Sequence, residues 1–280
     1  MILAGDIGGT KTNLALFEPG DVDFRTAFAA ASYPSREFAS LEQILDRFLA
    51  EHPAEIERAG FGIAGPVVEG VVETPNLAWR ITERALAERL GVPRVGLVND
   101  LVANALGSGS LGPDQLHTLQ EGDPTNLGNA ALISAGTGCG MAPIVYAGET
   151  PIPIPSEGGH VDFAPRSALE IGLLEHLRKR FGRVSYDRIL SGPGLFNIYA
   201  FLRDNQYADE PDWLAAEIAA GDPGAVISRA AASGGCELAA KALDTFASVY
   251  GAMAGNLALM VVATRGVYIG GGIAPKILRK

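Results

Sequence analysis

The stretch MILAGDIGGTKTNLALFE (residues 1–18) decides how the rest of the chain is read. Residues 2–7 are a short apolar run, Gly8, Gly9 and Thr10 a tight turn, and residues 13–18 alternate as a second strand does. The pattern predicts a Gly-turned hairpin. With no Cβ in the way, backbone N–H groups of such a turn can close on phosphate oxygens. Asp6, ending the first strand, would then face the same phosphates and hold a hydrated Mg²⁺. Taken alone, an ordinary hairpin turn explains the same residues.

Two commoner nucleotide motifs do not fit. A P-loop requires glycine before its Lys-Ser/Thr pair, and Lys11-Thr12 is preceded by Thr10. A dinucleotide fingerprint requires the glycine turn to open a helix, whereas Leu14, Leu16 and their alternating neighbours predict another strand.

Composition narrows the class. A chain of 280 residues with 48% hydrophobic content has material for one large or two medium domains, and two is the better expectation. A net charge of -10 argues against nucleic acid or an anionic membrane as partner, since both require clustered Lys and Arg. No basic-then-apolar leader and no run of about 18 apolar residues is present, so a cytoplasmic protein is expected. Cys139 and Cys236 are too few for a disulfide framework or a zinc site and read as buried thiols.

Outward from the hairpin, Ser40 with Gln43 forms a capping box ahead of Leu41, Ile44, Leu45, Phe48 and Leu49 at helical spacing. Residues 61–64 and 67–72 are predicted strands around Gly65-Pro66, a turn able to present its backbone to a ligand. A helix over 82–90 ends at Gly91, and the apolar strand 95–98 runs into Asn99-Asp100. Strand, helix, strand in this order predicts parallel pairing. Residues 107–129 are loop-like, which places a small domain at 1–110 and a larger one at 111–280. The larger domain opens with AALISAGTGCGMAPIVY (130–146), again apolar strand, Gly-rich turn and second strand. Two such hairpins, each opening an α/β half, suggest a duplicated fold with its ligand in a cleft between the halves. Further on, 151–155 is extended, Ser167 with Glu170 is a second capping box, and a helix start is expected near Ser185. A sharp turn falls at 191–194, and 195–263 is mostly helical with breaks at 222–223 and 234–235. A short strand, 267–269, precedes Gly270-Gly271-Gly272 and a helix start at Pro275.

Asn99 and Asp100 lie where open α/β sheets place ligand groups, beyond the C-terminal end of a strand. Asp100 suits a base that accepts a hydroxyl proton, or simply the cap of the helix starting at Leu101. Asn99 offers a donor and an acceptor to a neighbouring hydroxyl. Glu157 and His160 flank Gly158-Gly159, close enough to address one polyhydroxyl ligand, the alternative being a histidine bonded only within its own loop. A zinc site at His160 lacks ligands, and Asp162 reads as a local turn or cap residue.

Together these segments resemble the bacterial glucokinase family, within the hexokinase, actin and Hsp70 fold group. The resemblance is carried by GDIGGTKTNLAL (5–16), GIAGPV (62–67), LVNDLVANA (97–105), SAGTGCG (134–140), SEGGHVDFAP (156–165), ILSGPGL (189–195) and GVYIGGGIAP (266–275), in the family's order. The zinc-binding cysteine cluster of the related ROK proteins is missing. The resemblance implies a two-domain actin-like (ribonuclease H-like) α/β fold with an interdomain cleft, and ATP-dependent phosphorylation of glucose at its 6-hydroxyl. It makes Asp100 the general base, and Asn99, Glu157, His160, Asp187, Gly65 and Pro66 glucose-binding. Asp6 (also the Mg²⁺ residue, through water), Gly8, Gly9 and Thr10 correspond to the first phosphate motif, and Gly136, Thr137 and Gly138 to the second. Gly270, Gly271 and Gly272 correspond to the adenosine motif, where bare backbone admits adenine. The implied cofactors are ATP and Mg²⁺, and a homodimer is expected from the family. Rival readings are a kinase for another hexose or amino sugar, and a non-catalytic sugar-binding remnant. The family more usually has glutamate at position 187; the shorter Asp187 implies a water-mediated or lost sugar contact and weaker glucose binding than an Asp187→Glu variant. Related chains continue beyond the adenosine motif, so an α/β core partly uncovered at that end is expected if Lys280 is the natural end.

Overall fold

A computed structural model describes residues 1–20, 26–74, 77–123 and 125–278. The chain divides into two compact units, Met1–His117 and Thr118–Lys280.

In the first unit, β1 (Ile2–Ile7), β2 (Lys11–Phe17), β3 (Ala29–Pro34), β4 (Arg58–Ile63) and β7 (Val95–Asn99) form one sheet in the order β3-β2-β1-β4-β7. β1 and β2 pair antiparallel, Ile2 opposite Phe17 and Ile7 opposite Thr12, so the opening stretch is the hairpin its alternation predicts. β4 lies parallel to β1 on one side and to β7 on the other. Helix α1 (Leu41–Glu51) makes the first crossover and buries Leu41, Ile44, Leu45 and Phe48 in the apolar core. Each such side chain contributes about 1.5–3 kcal/mol by leaving water. Helix α2 (Glu83–Leu90) makes the second: Thr82 caps it by accepting from the Ala85 N–H at 3.1 Å, and Gly91 ends it at φ 67°. Helix α3 (Asp100–Ser108) follows β7 without an intervening loop.

The expected strand over 67–72 is different. Val68 and Val71 exchange both backbone hydrogen bonds at 3.0 Å around Glu69 (φ 50°) and Gly70 (φ 70°). Two consecutive left-handed residues are a type I′ turn, and this one feeds a small hairpin, β5 (Val71–Glu73) with β6 (Arg80–Thr82).

The second unit repeats the device. β8 (Ala130–Ala135) and β9 (Cys139–Ala147) form an antiparallel hairpin, β10 (Thr150–Pro153) extends it, and β11 (Gly266–Gly270) returns parallel to β8. Helices α4 (Ala168–Phe181), α5 (Gly192–Asp204), α6 (Asp212–Ala220), α7 (Pro223–Ala232) and α8 (Glu237–Val261) lie between β10 and β11 in sequence, and α9 (Ala274–Ile277) follows β11. Ser185 starts only a three-residue 3₁₀ turn, Tyr186–Arg188, not a helix. Leu238, Ala242, Phe246, Val249, Met253 and Leu257 of α8 recur at helical spacing and fill the core. The Tyr250 hydroxyl on this face lies 3.3 Å from the Ile133 carbonyl and 3.2 Å from that of Gly270, tying α8 to β8 and β11. Both cysteines are buried free thiols, as the sequence predicts. Among the described residues no helix is long and apolar enough to cross a membrane.

Both capping boxes are displaced by one residue at the return arm. Ser167 accepts from the Glu170 N–H at 3.2 Å, yet Glu170 bonds the N–H of Arg166, and Gln43 likewise bonds that of Ala39. Ser40 makes no side-chain cap bond.

One buried pair holds the opening turn. Ser35, fully buried after β3, donates its hydroxyl to the Gly8 carbonyl at 2.7 Å, so the Thr12 hydroxyl 3.0 Å away donates to Ser35 Oγ. Ser35→Ala strands the Thr12 hydroxyl and leaves Gly8 short of a donor, at a cost of about 1–3 kcal/mol. A thermal melt is expected to show that loss. Adding Thr12→Val, which removes the orphaned hydroxyl at constant shape, is expected to restore part of it; no loss in the single variant would mean the pair does not hold the turn.

Candidate functional site

In the first unit the chemistry-bearing residues collect at the carboxyl ends of parallel strands. Asp6 pairs with Gly62, Gly62 with Val98 and Ile63 with Asn99, so Asp6 and Asn99-Asp100 end strands on either side of β4. Gly62 keeps α3 against β4: a Cβ there would stand 2.8 Å from that of Ala103. The cap of α3 is Asn99 and not Asp100. Asn99 Oδ1 accepts from the Leu101 N–H at 2.9 Å, while its Nδ2 donates to the Gly65 carbonyl at 3.0 Å. One amide thus positions the helix start and the Gly65-Pro66 turn together, with Gly65 at φ 129°. Asp100 is released from capping and becomes the first residue of α3, its Oδ1 accepting from the Leu101 N–H at 2.9 Å. Burial pushes the Asp100 carboxyl above the ordinary aspartate value and the charge of Asp6 adds to this, while the Leu101 N–H and the Asn99 side chain oppose it. Asp6 itself is exposed and accepts from Asn13 Nδ2 at 3.1 Å.

The two Gly-rich turns close alike. The Gly8 N–H folds back onto the Lys11 carbonyl and the Gly136 N–H onto that of Gly138, both at 2.9 Å. Gly9 and Thr10 in one turn, Thr137 and Gly138 in the other, are left with N–H groups that donate to nothing among the described residues. Neither turn requires a left-handed glycine. Two of the glycines serve close approach: a Cβ on Gly8 would stand 3.0 Å from the Lys11 carbonyl oxygen and one on Gly138 2.8 Å from Asp187 Oδ1, whereas one on Gly136 would meet nothing within 4 Å.

Glu157 and His160 flank a 3₁₀ turn, Gly158–His160, and both side chains are exposed, with 3.9 Å between Glu157 Oε2 and His160 Nε2. The loop is seated on β9. A Cβ on Gly159 would fall 1.8 Å from the Cys139 carbonyl oxygen, a position only glycine can occupy. Arg183 holds the loop from outside, donating to the His160 carbonyl at 2.7 Å and pairing with Asp162 at 2.6 Å, so Asp162 is an ion-pair partner.

Asp187, expected at the sugar, bonds the protein: its Oδ1 accepts from the Cys139 N–H at 2.8 Å. Burial, with the Asp187 charge adding, pushes the Cys139 thiol up to about 12, which leaves it inert as a nucleophile. The three terminal glycines differ among themselves. Gly271 (φ 85°) packs so closely that a Cβ would reach within 2.2 Å of the Ala135 carbonyl oxygen, and Gly270 is tight against Leu132. Gly272 alone of the three faces open space.

Two residues that organise these groups carried no sequence signal, Ser35 behind the first turn and Tyr250 behind β8 and β11; Gly192 donates its N–H to the Gly136 carbonyl at 2.9 Å. The sharp turn at 191–194 was legible, but not that it braces the second Gly-rich turn.

The chain is similar to known proteins along nearly its whole length. The family profile Glucokinase matches residues 3–280. A glucokinase of Nostoc punctiforme is 41% identical over 292 residues, covering 99% of this chain and 86% of that protein. The crystal structure of a glucokinase from an Antarctic psychrotroph superposes with a TM-score of 0.84 at 30% identity, covering 99% of this chain and 84% of that one. A ROK family glucokinase of Streptomyces griseus, solved with glucose and AMPPNP, shares the fold at a TM-score of 0.64 and 22% identity over 98% of this chain and 84% of its own. With its phosphate-type turns, strand-end carboxylates and EGGH loop in place and nearly its whole length matched, this chain belongs to the glucokinase family.

Proposed function

We propose that the chain transfers the γ-phosphoryl group of ATP to the 6-hydroxyl of glucose, with Asp100 as general base. The observation that carries the assignment is the half-buried Asp100 carboxylate at a strand end, freed from capping by Asn99 and raised toward the proton affinity a base requires. Its Oδ1 is engaged by Leu101, so Oδ2 takes the hydroxyl proton. As that proton leaves, the 6-oxygen forms its bond to the γ-phosphorus, the bond to the bridging oxygen breaks, and ADP departs with the electron pair. A base of this kind contributes about 10²- to 10⁴-fold.

The other site residues bind and orient. Glu157 accepts from glucose hydroxyls, His160 donates to or accepts from a third, and Asn99 fixes Gly65-Pro66 for backbone contact. The N–H groups of Gly9, Thr10, Thr137 and Gly138 bind phosphate oxygens, and Gly272, open where Gly271 is packed, admits the adenosine. Among the described residues no three His, Cys, Asp or Glu gather as a metal site, so Mg²⁺ would take its ligands from phosphate and water, with Asp6 holding one such water, and would neutralise the transferring charge. We extend the reading to a cytoplasmic enzyme supplying glucose 6-phosphate to glycolysis. A small functional domain at 1–110, a larger one at 111–280 and a homodimer belong to the same proposal, the dimer resting on family membership and decided by sedimentation equilibrium.

ADP release from MgATP is expected to require glucose and to fall about a hundredfold or more in Asp100→Asn, measured with a panel of hexoses in parallel. Unchanged turnover in that variant would remove Asp100 as base; preference for another hexose would reassign the substrate.

The same substitution is expected to stabilise the fold. A carboxyl whose folded pKa is raised disfavours folding where it is ionised, above the folded value, and does not where it is protonated in both states, below the unfolded value. Asp100→Asn should therefore melt higher than the native chain at pH 7, with the difference closing as pH falls into the ordinary aspartate range. The acid limb of kcat/KM should lie above that range. An Asn variant that melts lower at pH 7 would contradict the burial penalty.

A further inference from the structure

The family resemblance gives Asp187 a sugar-ligand position, yet one of its two carboxylate oxygens bonds the protein. Oδ1 accepts from the Cys139 N–H at 2.8 Å and lies 2.8 Å from where a Gly138 Cβ would be. Its own backbone is fixed: the Ser191 hydroxyl donates to the Asp187 carbonyl at 2.8 Å while accepting from the Gly194 N–H at 3.0 Å. The same short segment grips the other side of the turn, where the Gly192 N–H donates to the Gly136 carbonyl at 2.9 Å. Residues 136–139 are therefore held at both ends by residues 187–192, and the Thr137 and Gly138 N–H groups have no acceptor among the described residues.

We propose that Asp187 is a positioning residue for the phosphoryl donor, fixing the Thr137 and Gly138 N–H groups through Cys139 and not binding glucose directly. The inference rests on the kinase reading above for the identity of the donor. A carboxylate suits the task because a charge-assisted hydrogen bond is roughly twice as strong as a neutral one, and glycines at 136 and 138 give the turn little rigidity of its own.

Asp187→Ala is expected to raise the MgATP dissociation constant about tenfold or more, as loss of such a bond implies, while glucose affinity changes less than about threefold. Asp187→Asn keeps an Oδ1 acceptor and is expected to stay within about threefold of the native chain for both ligands. Asp187→Glu carries the carboxylate one methylene past Cys139 and is expected to weaken MgATP. Calorimetric titration gives these constants whether or not turnover occurs, so a failed kinase reading is distinguishable from a failed positioning role. The chain has only two cysteines, so [¹⁵N]cysteine labelling gives two amide signals by NMR. That of Cys139 should move upfield in Asp187→Ala and shift on MgATP addition, with Cys236 unmoved. Weaker glucose with unchanged MgATP in the Asn variant, or tighter glucose with unchanged MgATP in the Glu variant, would make Asp187 a sugar ligand and overturn the proposal. If Asp187→Ala does not fold, those two variants decide alone. A Cys139 signal indifferent to Asp187, or a native chain that binds no MgATP, would overturn it as well.

Discussion

Close approach to one short piece of backbone, residues 135–139, is the constraint that the second unit depends on. Three separate segments reach it by giving up a side chain or using one to bond it. Gly271 comes within van der Waals distance of the Ala135 carbonyl, Gly159 does the same at the Cys139 carbonyl, and Asp187 takes the Cys139 N–H. The second Gly-rich turn, the EGGH loop and the glycines at 270–272 are thus mutually positioned through backbone atoms. Backbone is the stiffest surface available, since a carbonyl inside a β ladder has no rotamers to adjust. A methyl group at either Gly159 or Gly271 would displace a ligand-facing segment without touching any ligand.

The first unit solves the same problem with polar bonds. Asn99 spends both ends of its amide, one on the start of α3 and one on the Gly65 turn. Asp100 gains its half-buried position from that arrangement, because the neighbouring side chain meets the capping requirement. A cap would have tied the carboxylate down; the residue after the cap is held in place while one oxygen stays available. Stability is surrendered locally for this, as burying a carboxylate near Asp6 implies.

What the sequence disclosed follows from these two mechanisms. Apolar runs located β1, β7 and β8, apolar periodicity located α1, and the Gly91 stop located α2, while α8 fell within a stretch legible only as mostly helical. β3, with the sequence AAASYP, was not legible: it is an edge strand that buries Tyr33 among alanines and so has no apolar alternation. Residues 67–72 looked like a strand because they are rich in β-branched valine, but Glu69 and Gly70 adopt left-handed backbone and turn the chain in the middle of the run. The braces were invisible for another reason. Ser35 with Gly8, Asp187 with Cys139 and Tyr250 with Ile133 join residues 27, 48 and 117 positions apart, and single-sequence spacing carries no information over such separations.

Glycine is where the sequence was most suggestive and least discriminating. All of the Gly-rich segments suggest ligand contact, yet several of the individual glycines serve the protein's own packing. Gly62 admits α3, Gly138 admits Asp187, Gly159 and Gly271 admit carbonyl oxygens, and Gly272 is left with open space. The absence of a Cβ marks a close approach without naming what approaches. What such a turn can offer an anion depends less on glycine as such than on which N–H groups the packing leaves unpaired. In the second turn the Gly136 N–H turns inward to Gly138 and the Cys139 N–H is taken by Asp187, so the turn offers two donors and not four. Those two are held by bonds on both sides, which is the condition under which a flexible glycine turn can present a fixed geometry to a transferring phosphoryl group.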